Sequence, residues 1–569
     1  MKGWRFYTLV FFIGLIFAAI IFRLFSLQIV KHSFYKTLAS SQQQTSQTIY
    51  PLRGEIFMRD RYTDIDSRSL LFPIAINKDW WMVYAVPKEI EEKEETVKKL
   101  SPFLGVDKGI LKERINKPDD PYEPLKNKVD EKTAQEIQAL ELEGIYLRTE
   151  NWRYFPANEL ACHLTGFVGF EDDRKVGRYG IEEYYEKELA GKPGYVEAKK
   201  DSFGQLISVG DKVLQEAEDG ADLILTIDPN IQFFIEKKLK EAISQLQASS
   251  GTIIVMEVKT GAIKAMANWP NFDLNKYNEV KNINLFLNSA IHDLFEPGSI
   301  FKPITMAGAL DKGVITPQTT YEDKGYLKIS GYTIRNAHEE PEGIQTMIQV
   351  LEKSINTGAV FIQQKLGKDD FERYVEKFGF ADETGIDLKG ETKGNISNLK
   401  TKRDLEYATA SFGQGIAITS LQLINALSAI ANDGVLLRPF IVEKIIFSDG
   451  EEKLTKPKKI RRVISSDTAS RLTAMLVSVV KNGYGKKAGV SNYLIAGKTG
   501  TAQIPEAGGY SEETIHSFGG FFPAYDARFA LLIKIDKVKG INFAADSVAP
   551  IFSQIAEYIL NYYEIAPSQ

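Results

Sequence analysis

A serine stands three residues before a lysine in the segment FEPGSIFKPIT, as Ser299 and Lys302. The residues after Pro297-Gly298 are compatible with a helix, which would place the serine at its start and the lysine one turn later on the same face. A serine hydroxyl needs a base to become a nucleophile, and a buried lysine with a lowered pKa can act as that base. The free backbone N–H groups of a helix start could also bind an oxyanion. The alternative is a helix-capping serine beside a solvated lysine.

Two further motifs decide between these alternatives, because the S-x-x-K spacing occurs four times in the chain. The other copies are Ser33/Lys36, Ser397/Lys400 and Ser478/Lys481. Ser354-Ile355-Asn356 is the only S-x-N in the sequence, and the later segment AGKTGTAQ contains Lys498-Thr499-Gly500-Thr501. Among the four serines, only Ser299 is followed by the S-x-N and then a K-T-G within one folded region. This order favours Ser299 as a nucleophile with Lys302 as its base.

The K-T-G motif has other uses that must be weighed. An earlier copy, Lys259-Thr260-Gly261, precedes the candidate nucleophile and predicts a tight turn between two strands, with Gly261 supplying the permissive backbone. At the later copy, the missing side chain of Gly500 would let a strand edge admit a substrate's backbone. A phosphate-binding loop ending in this GKT would need glycine at position 492, where the chain has Asn492. A nucleotide site is therefore excluded.

The elements that must position these motifs follow an α+β order. The strand-like segments SGTIIVMEV and IKAMAN precede Ser299, and long helical segments such as SLQLINALSAIANDG follow it. The segments NYLIAGKTGTAQ, HSFGGFFPA and RFALLIKID then predict late strands. This order predicts one antiparallel sheet closed by segments distant in sequence, with helices packed on it. The polar segment FSDGEEKLTKPKKIRR predicts a surface hairpin.

The N-terminus predicts a membrane anchor. The uncharged run FYTLVFFIGLIFAAIIF at residues 6–22 would span about 26 Å as a helix, close to the thickness of a bilayer core. A cleaved signal peptide is the alternative, but the run is longer than a signal's apolar region and lacks a good cleavage site. Lys2 and Arg5 precede the run, and Arg23, Lys31 and Lys36 follow it. Charge therefore leaves the orientation of the anchor open.

Composition limits the remaining classes of function. The chain has 569 residues, of which 44% are hydrophobic and 25% charged, which predicts a globular protein of two to four domains. A net charge of −5 gives no basic surface for nucleic acid. The single cysteine, Cys162, cannot form an internal disulfide, and none of the five histidines is paired at ligand spacing. We expect no metal and no cofactor.

The chain divides into four predicted regions. We expect a short tail at residues 1–5, an anchor at 6–30, a polar stalk with a non-catalytic region at 31–220, and a catalytic domain at 221–569. The region before residue 220 mixes the strand-like DWWMVYAV with charged helical segments such as PKEIEEKEETVKKL, which we interpret as solvated faces. The segment QEAEDGADLILTID marks the boundary, with an acidic turn before a new strand.

With these motifs in this order, the sequence resembles the class B penicillin-binding proteins, which are membrane-anchored D,D-transpeptidases of peptidoglycan. The resemblance covers nearly the whole chain, from PLRGEIF and RYFPANELACHLTGFVG through LTIDPNIQ and EPGSIFKP to SFGQGIAITSLQL, AGKTGTAQ and SFGGFFPA. It implies an α+β fold with one transmembrane helix, an elongated dimerisation-like pedestal and a transpeptidase domain whose central antiparallel sheet is flanked by helices. Two positions depart from the family pattern, since Met58 replaces an aspartate and Tyr484 replaces a small threonine.

The resemblance also implies a role for each motif residue. Ser299 would attack the penultimate D-alanine of a stem peptide, Lys302 would take its proton, and Ser354 would relay that proton to the leaving amine. Asn356 would hold the donor's amide backbone. Lys498, Thr499 and Thr501 would bind the terminal carboxylate, and the backbone N–H groups of Ser299 and Thr501 would form the oxyanion hole. Gly500 completes the expected substrate-binding set.

The same resemblance implies partners, a location and competing functions. The substrates would be stem peptides ending in D-Ala-D-Ala, β-lactams would inhibit, and a separate membrane glycan polymerase with other division or elongation proteins would be partners. The chain would cross the bacterial plasma membrane once, with its N-terminus in the cytoplasm and its catalytic domain outside. Its length and lack of added C-terminal modules favour division over elongation. The alternatives are a D,D-carboxypeptidase, a β-lactam-hydrolysing or β-lactam-sensing protein, and a catalytically silent division scaffold.

Overall fold

The computed structural model describes residues 3–33, 35, 44–117, 120–172, 174–199, 213–337, 340–506 and 508–568. Met1, Lys2, Lys36 and the first four residues of the polar segment SSQQQTSQT lie outside the described residues, so the tail and stalk stay predictions in those parts. The chain divides into two compact units, namely Met1–Arg53 with Ala190–Gly220, and Gly54–Leu189 with Ala221–Gln569. The predicted boundary near residue 220 remains a prediction.

The α-helices of the described residues are α1 (Trp4–Phe25), α2 (Lys93–Leu104), α3 (Lys108–Ile115), α4 (Glu131–Gln138), α5 (Cys162–Thr165), α6 (Gly180–Tyr184), α7 (Glu186–Leu189), α8 (Pro229–Gln245), α9 (Ser289–His292), α10 (Lys302–Asp311), α11 (Met347–Glu352), α12 (Asn356–Leu366), α13 (Lys368–Lys377), α14 (Asp404–Ala410), α15 (Ser420–Ala431), α16 (Ser466–Lys481), α17 (Ala544–Ser547) and α18 (Ala549–Tyr562). A π-helical turn at Ser26–Val30 continues α1, and short 3-10 turns lie at Arg68–Leu70, Pro87–Glu89, Leu274–Glu279, Ile283–Phe286, Gly298–Phe301, Ser397–Thr401 and Lys486–Ala488.

The strands are β1 (Gln44–Ile49), β2 (Ile56–Met58), β3 (Phe72–Ala85), β4 (Glu123–Val129), β5 (Ile145–Tyr154), β6 (Phe167–Glu171), β7 (Arg174–Arg178), β8 (Gly194–Lys199), β9 (Val213–Gln215), β10 (Asp222–Leu225), β11 (Ser250–Glu257), β12 (Ile263–Trp269), β13 (Thr320–Asp323), β14 (Tyr326–Ile329), β15 (Tyr332–Arg335), β16 (Gly343–Thr346), β17 (Val435–Leu437), β18 (Val442–Ile446), β19 (Glu452–Leu454), β20 (Lys459–Arg462), β21 (Ala496–Glu506), β22 (Gly509–Phe522) and β23 (Phe529–Asp536).

The first unit holds the apolar N-terminal helix and a small sheet. Together α1 and the π-helical turn run from Trp4 to Val30, which is 27 residues, and an 18-residue window within it has a mean hydropathy of 2.5. No described residue of this span is buried. The span is long and apolar enough to cross a membrane. The strands β1, β8 and β9 form a three-stranded antiparallel sheet in the same unit.

The second unit is built on a five-stranded sheet with the spatial order β12-β11-β23-β22-β21. Every neighbouring pair in it is antiparallel, and β11 joins the late strand β23 from Ser250↔Asp536 to Glu257↔Phe529. The sheet therefore closes between segments far apart in the sequence, since Ser250 and its partner Asp536 are separated by 286 positions. The predicted α+β arrangement, with early and late strands in one antiparallel sheet, is confirmed.

Both faces of this sheet are covered by helices. Successive residues of β11 point to opposite faces, so Ile253 and Val255 join one buried cluster while Ile254 and Met256 join the other. The first cluster includes apolar residues of α8 and of the C-terminal helix α18, and the second includes those of α10 and α15. The alternation explains why β11 reads as a continuous apolar run, because neither face meets water.

Two local predictions can be compared with the structure. The early K-T-G, at Lys259 to Gly261, forms the turn of the β11–β12 hairpin, and Gly261 has a φ of +82°, as the sequence predicts. The polar segment after residue 446 is not one hairpin. Its first part, β19, pairs with β18, whereas β20 pairs with β17, because each half extends a different preceding strand.

The non-catalytic region shares a sheet with the rest of the second unit. Seven strands contribute, with the path β19-β18-β10-β2-β3-β4 and β5 paired to β3. The strand β10, predicted at the boundary segment, pairs in parallel with β2 and antiparallel with β18. Met58, which departs from the family pattern, is fully buried in β2 and packs in the large apolar cluster.

Candidate active site

The first motif lies on a tight turn that leads into a buried helix. Residues Gly298 to Phe301 form a 3-10 turn, and α10 begins at Lys302 with Pro303 in its first turn, where the missing N–H is tolerated. Ser299 is half-buried and lines a cavity, whereas Lys302 is 1% exposed. The predicted helix start therefore carries a serine that is accessible to solvent and a lysine that is buried.

The buried lysine is held by the second motif. Lys302 Nζ donates to the backbone oxygen of Ser354, to Ser354 Oγ at 3.3 Å and to Asn356 Oδ1 at 2.8 Å. Ser354 has a φ of +55°, a left-handed conformation that costs a non-glycine residue about 1–3 kcal/mol when imposed by its surroundings. In this conformation both the carbonyl and the hydroxyl of Ser354 lie against the lysine. The S-x-N motif thus fixes the ammonium position.

The third motif brings a second buried lysine to the same serine. Lys498 is fully buried in β21, and its Nζ donates to Ser354 Oγ at 2.9 Å, with further contacts to the oxygens of Thr499. Burial lowers the pKa of Lys498 to about 7. Burial, and then the charge of Lys498, lower the pKa of Lys302 well below its ordinary value. Burial and the charge of Lys498 therefore both favour the neutral form of Lys302.

The residues after Lys498 continue the same strand, β21. Thr499 is 7% exposed and Thr501 half-buried, and both line the cavity with Ser299. The hydroxyl of Thr501 accepts the backbone N–H of Ala544 at 3.1 Å. Because that hydroxyl already accepts one hydrogen bond, its own hydrogen is free to be donated to an acceptor in the cavity.

Gly500 has a packing role that the sequence did not predict. A Cβ at this position would lie 2.4 Å from Ser517 Oγ, 3.0 Å from the Pro297 oxygen and 3.1 Å from Ile300 Cβ. The glycine therefore lets β21 approach the turn that carries Ser299. Its expected use, a strand edge that admits a substrate's backbone, stays a prediction.

The motifs meet in one cavity of about 440 Å³. Its wall includes Ser299, Ser354, Asn356, Thr499 and Thr501. Lys302 and Lys498 lie behind this wall and reach it through Ser354 Oγ. All eight predicted site residues are thus brought together, with Gly500 as the packing contact between the first and third motifs.

Sequence reasoning missed a polar network that supports the S-x-N motif. The buried carboxylate of Asp323 accepts hydrogen bonds from Asn336 Nδ2 at 3.0 Å, from the Thr357 hydroxyl and from the Glu342 backbone N–H. Asn336 Oδ1 in turn accepts the Thr357 N–H at 3.1 Å, at the start of α12. These residue types are common in loops and lie up to 34 positions apart, so no sequence signal points to them.

The other S-x-x-K copies have structural partners. Ser397 donates to Asn395 Oδ1 at 2.7 Å, and Lys400 forms ion pairs with two glutamates. Ser478 donates to Glu352. Lys36 of the first copy lies outside the described residues. Among the described copies, Ser299 with Lys302 is the pair that shares a cavity with the other two motifs.

The fold and the grouping of the three motifs in one cavity are those expected of an acyl-transfer enzyme. The family described as "Penicillin binding protein transpeptidase domain" matches residues 251–557, and the family "Penicillin-binding Protein dimerisation domain" matches residues 48–225. The chain belongs to the penicillin-binding proteins, with a dimerisation and a transpeptidase domain.

Relatives along the whole chain agree with this assignment. The chain is 32% identical to "Stage V sporulation protein D" of Bacillus subtilis over 95% of this chain and 84% of the relative. It is 30% identical to "Peptidoglycan D,D-transpeptidase FtsI" of Escherichia coli K12 over 99% of this chain and 93% of the relative.

Solved structures agree as well. A peptidoglycan synthetase from Bifidobacterium adolescentis aligns with a TM-score of 0.73 at 25% identity, covering 93% of this chain and 98% of that one. Penicillin binding protein 3 of Mycobacterium tuberculosis, complexed with aztreonam, aligns with a TM-score of 0.70 at 25% identity, covering 92% and 98%. The predicted class of protein and its α+β fold are confirmed.

Proposed function

We propose that the chain is a peptidoglycan D,D-transpeptidase that cross-links stem peptides through an acyl-enzyme on Ser299. The observation that carries this proposal is that Ser354 Oγ contacts both buried lysines, Lys302 and Lys498, in the wall of the cavity that also holds Ser299. The likeness to proteins named peptidoglycan D,D-transpeptidase supports the same substrate class.

The acylation step follows from the protonation states. Lys302 in its neutral form takes the proton of Ser299 as the oxygen attacks the carbonyl of the penultimate D-alanine. The bond to the terminal D-alanine breaks, and its nitrogen receives a proton that passes from Lys302 through Ser354 Oγ. An amine of a neighbouring stem peptide then attacks the ester, which forms the new amide and restores the Ser299 hydroxyl.

The groups that bind the substrate take no part in the proton transfers of acylation. The hydroxyls of Thr499 and Thr501 bind the terminal carboxylate, and Lys498, buried behind Thr499, contributes positive charge. Asn356 uses one N–H of its side-chain amide on the Arg335 oxygen at 3.0 Å, which leaves its second N–H for the donor's backbone. The backbone N–H groups of Ser299 and Thr501 bind the developing oxyanion, a device worth about 3–4 kcal/mol per donor.

The proposed substrate also fixes the location and the partners. Peptidoglycan is cross-linked outside the cytoplasmic membrane, so the N-terminus would be cytoplasmic and the catalytic domain extracytoplasmic, with the span Trp4–Val30 as the anchor. A separate membrane glycan polymerase would supply the strands, and division is the process we assign. β-Lactams would acylate Ser299, because they present a carboxylate and a strained amide.

The test is labelling of the purified full-length chain with a fluorescent penicillin, beside the Ser299→Ala variant, followed by mass mapping of the labelled peptide. A stable adduct on EPGSIFKP that is absent from the variant is the expected result. Rapid loss of the adduct would favour a β-lactam-hydrolysing protein. No adduct on folded wild-type protein would overturn the enzymatic proposal in favour of a silent scaffold.

A further inference from the structure

Beyond the three motifs, the cavity wall carries a carboxylate and an ammonium side by side. Lys353 Nζ lies 2.6 Å from Glu342 Oε2, and the two side chains are 36% and 29% exposed. Both residues line the cavity that contains Ser299. Lys353 directly precedes Ser354, so this ion pair lies next to the serine that contacts both buried lysines.

Hydrogen bonds fix the backbone of both residues. The Glu342 N–H donates to the buried Asp323 carboxylate at 3.0 Å, and the Glu342 carbonyl accepts from Gln345 Nε2 at 2.6 Å. The Lys353 N–H donates to the Gln349 carbonyl at 2.9 Å at the end of α11. The backbone at both positions is therefore fixed, which reduces the conformational entropy lost when a ligand replaces the contact between the two side chains.

An aromatic ring completes this part of the wall. Tyr484 lines the same cavity, and its N–H donates to the Glu352 carbonyl at 3.0 Å. The preceding Gly483 packs so closely that a Cβ there would lie 2.5 Å from the Glu352 oxygen. Burial and the charge of Glu342 raise the pKa of Tyr484, while Lys353 lowers it, which places the phenol in the field of both charges.

We propose that Glu342, Lys353 and Tyr484 form a subsite for a donor side chain that ends in an α-ammonium and an α-carboxylate on one carbon. Such an end occurs in a diamino dicarboxylic acid at the third position of the stem peptide. Its ammonium pairs with Glu342, its carboxylate pairs with Lys353, and its methylene chain lies along the ring of Tyr484. The inference rests on the proposed transpeptidase function.

Charge complementarity separates this ligand from its simpler analogues. A side chain that carries only an ammonium satisfies Glu342 but leaves Lys353 without its former partner, and one that carries only a carboxylate does the reverse. Only a zwitterionic end replaces both halves of the ion pair at once. The subsite therefore selects for two charges on one carbon.

A second ion pair in the cavity wall provides a matched control. Lys487 Nζ lies 2.9 Å from Asp546 Oδ1, and these side chains are 60% and 51% exposed. The greater exposure means stronger screening by water and salt, so this pair contributes little to recognition. We assign it no part in binding the donor side chain.

The experiment uses the full-length protein in detergent and three penicillins with side chains of matched length. One ends in the zwitterion of an α-aminoadipyl group, one in an ammonium alone, and one in a carboxylate alone. The second-order rate of acylation is measured for wild type, Glu342→Gln, Lys353→Met and Lys487→Met. Labelling with phenylacetyl penicillin reports for each variant that the Ser299 site is intact.

Wild type and Lys487→Met should react with the zwitterionic penicillin roughly tenfold faster than with either analogue, the size of one charge-assisted contact. Glu342→Gln should bring the ratio against the carboxylate-only penicillin close to one, and Lys353→Met should do the same for the ratio against the ammonium-only penicillin. A wild-type ratio below about twofold, or a ratio that both variants leave unchanged, would overturn the subsite while leaving the transpeptidase proposal intact. Failure of every penicillin to label wild type would instead reject the proposed function.

Discussion

Lys498 Nζ lies 2.9 Å from Ser354 Oγ, and Lys302 Nζ lies 3.3 Å from the same oxygen. One hydroxyl therefore connects two buried amines, one from α10 and the other from the late strand β21. Because a hydroxyl can accept from one amine and donate to the other when that other is neutral, this arrangement can move a proton without moving a heavy atom.

Ser354→Ala should slow acylation by penicillin roughly 100-fold, the lower range for loss of a general acid–base group. The substitution removes the hydroxyl between Lys302 and Lys498 while the backbone carbonyl on Lys302 stays. Stopped-flow or gel-based labelling kinetics would measure the rate. Ser397→Ala, which removes a hydroxyl bonded to Asn395, is the matched control and should react at the wild-type rate. A Ser354 variant with unchanged kinetics would contradict the relay.

Lys498→Met should move the acid limb of the acylation pH–rate profile to higher pH. The charge of Lys498 lowers the pKa of Lys302, so its removal raises that pKa, and more alkali is then needed to make Lys302 the neutral base. Lys498→Arg keeps the charge and should leave the limb near its wild-type position. Acylation rates between pH 5 and 9 provide the measurement. A shift to lower pH in the methionine variant would exclude Lys302 as the titrating base.

The order of three short motifs was enough to predict which residues the fold brings to one cavity, since each motif is defined by residue types that the proposed chemistry needs. The five-stranded sheet was also predictable, because β11, β12 and the late strands are apolar runs bounded by turns. The pairing of the polar strands could not be predicted, since β19 and β20 carry no pattern that specifies which strand each one joins. Pairing there is decided by the tertiary structure.

The sequence did not reveal the packing role of Gly500 or the hydrogen bonds of Asp323, because both depend on residues that meet only in the folded chain. A glycine is compatible with both an open edge and a close approach, and the close approach is visible only from the positions of Ser517 and Pro297. Asp323 is one of many acidic residues, and its burial depends on Asn336 and Thr357 meeting it across the fold. Sequence patterns therefore reveal the residues that react more easily than they reveal the residues that hold those groups in position.

Gly500→Ala should reduce acylation by at least roughly tenfold and destabilise the fold by about 1–3 kcal/mol, as overpacked sites do. The added methyl would push against Ser517 Oγ and the turn that carries Ser299. Adding Ser517→Gly removes the nearest atom and should restore part of the rate. Gly509→Ala, at a position with open space around the Cβ, should change neither rate nor melting temperature. Equal rates for Gly500→Ala and Gly509→Ala would show that the contact is unimportant.

Asp323→Asn should destabilise the protein at pH 7, by about 1–3 kcal/mol for loss of charge-assisted hydrogen bonds at a buried site. Burial raises the pKa of Asp323, but hydrogen bonds from Thr357, from the Glu342 N–H and from Asn336 together lower it below its ordinary value. A carboxyl with a lowered pKa stabilises the fold above its unfolded-state pKa, and this contribution is lost as the pH falls through the folded value.

The difference in melting temperature between wild type and Asp323→Asn should therefore shrink as the pH falls from 7 towards 3, because the wild-type carboxyl becomes protonated. Thermal unfolding across this range, with Asp433→Asn at an exposed position as the control, provides the measurement. A difference that stays constant down to pH 3 would mean that the charge of Asp323 does not hold the network, and that shape alone positions the S-x-N motif.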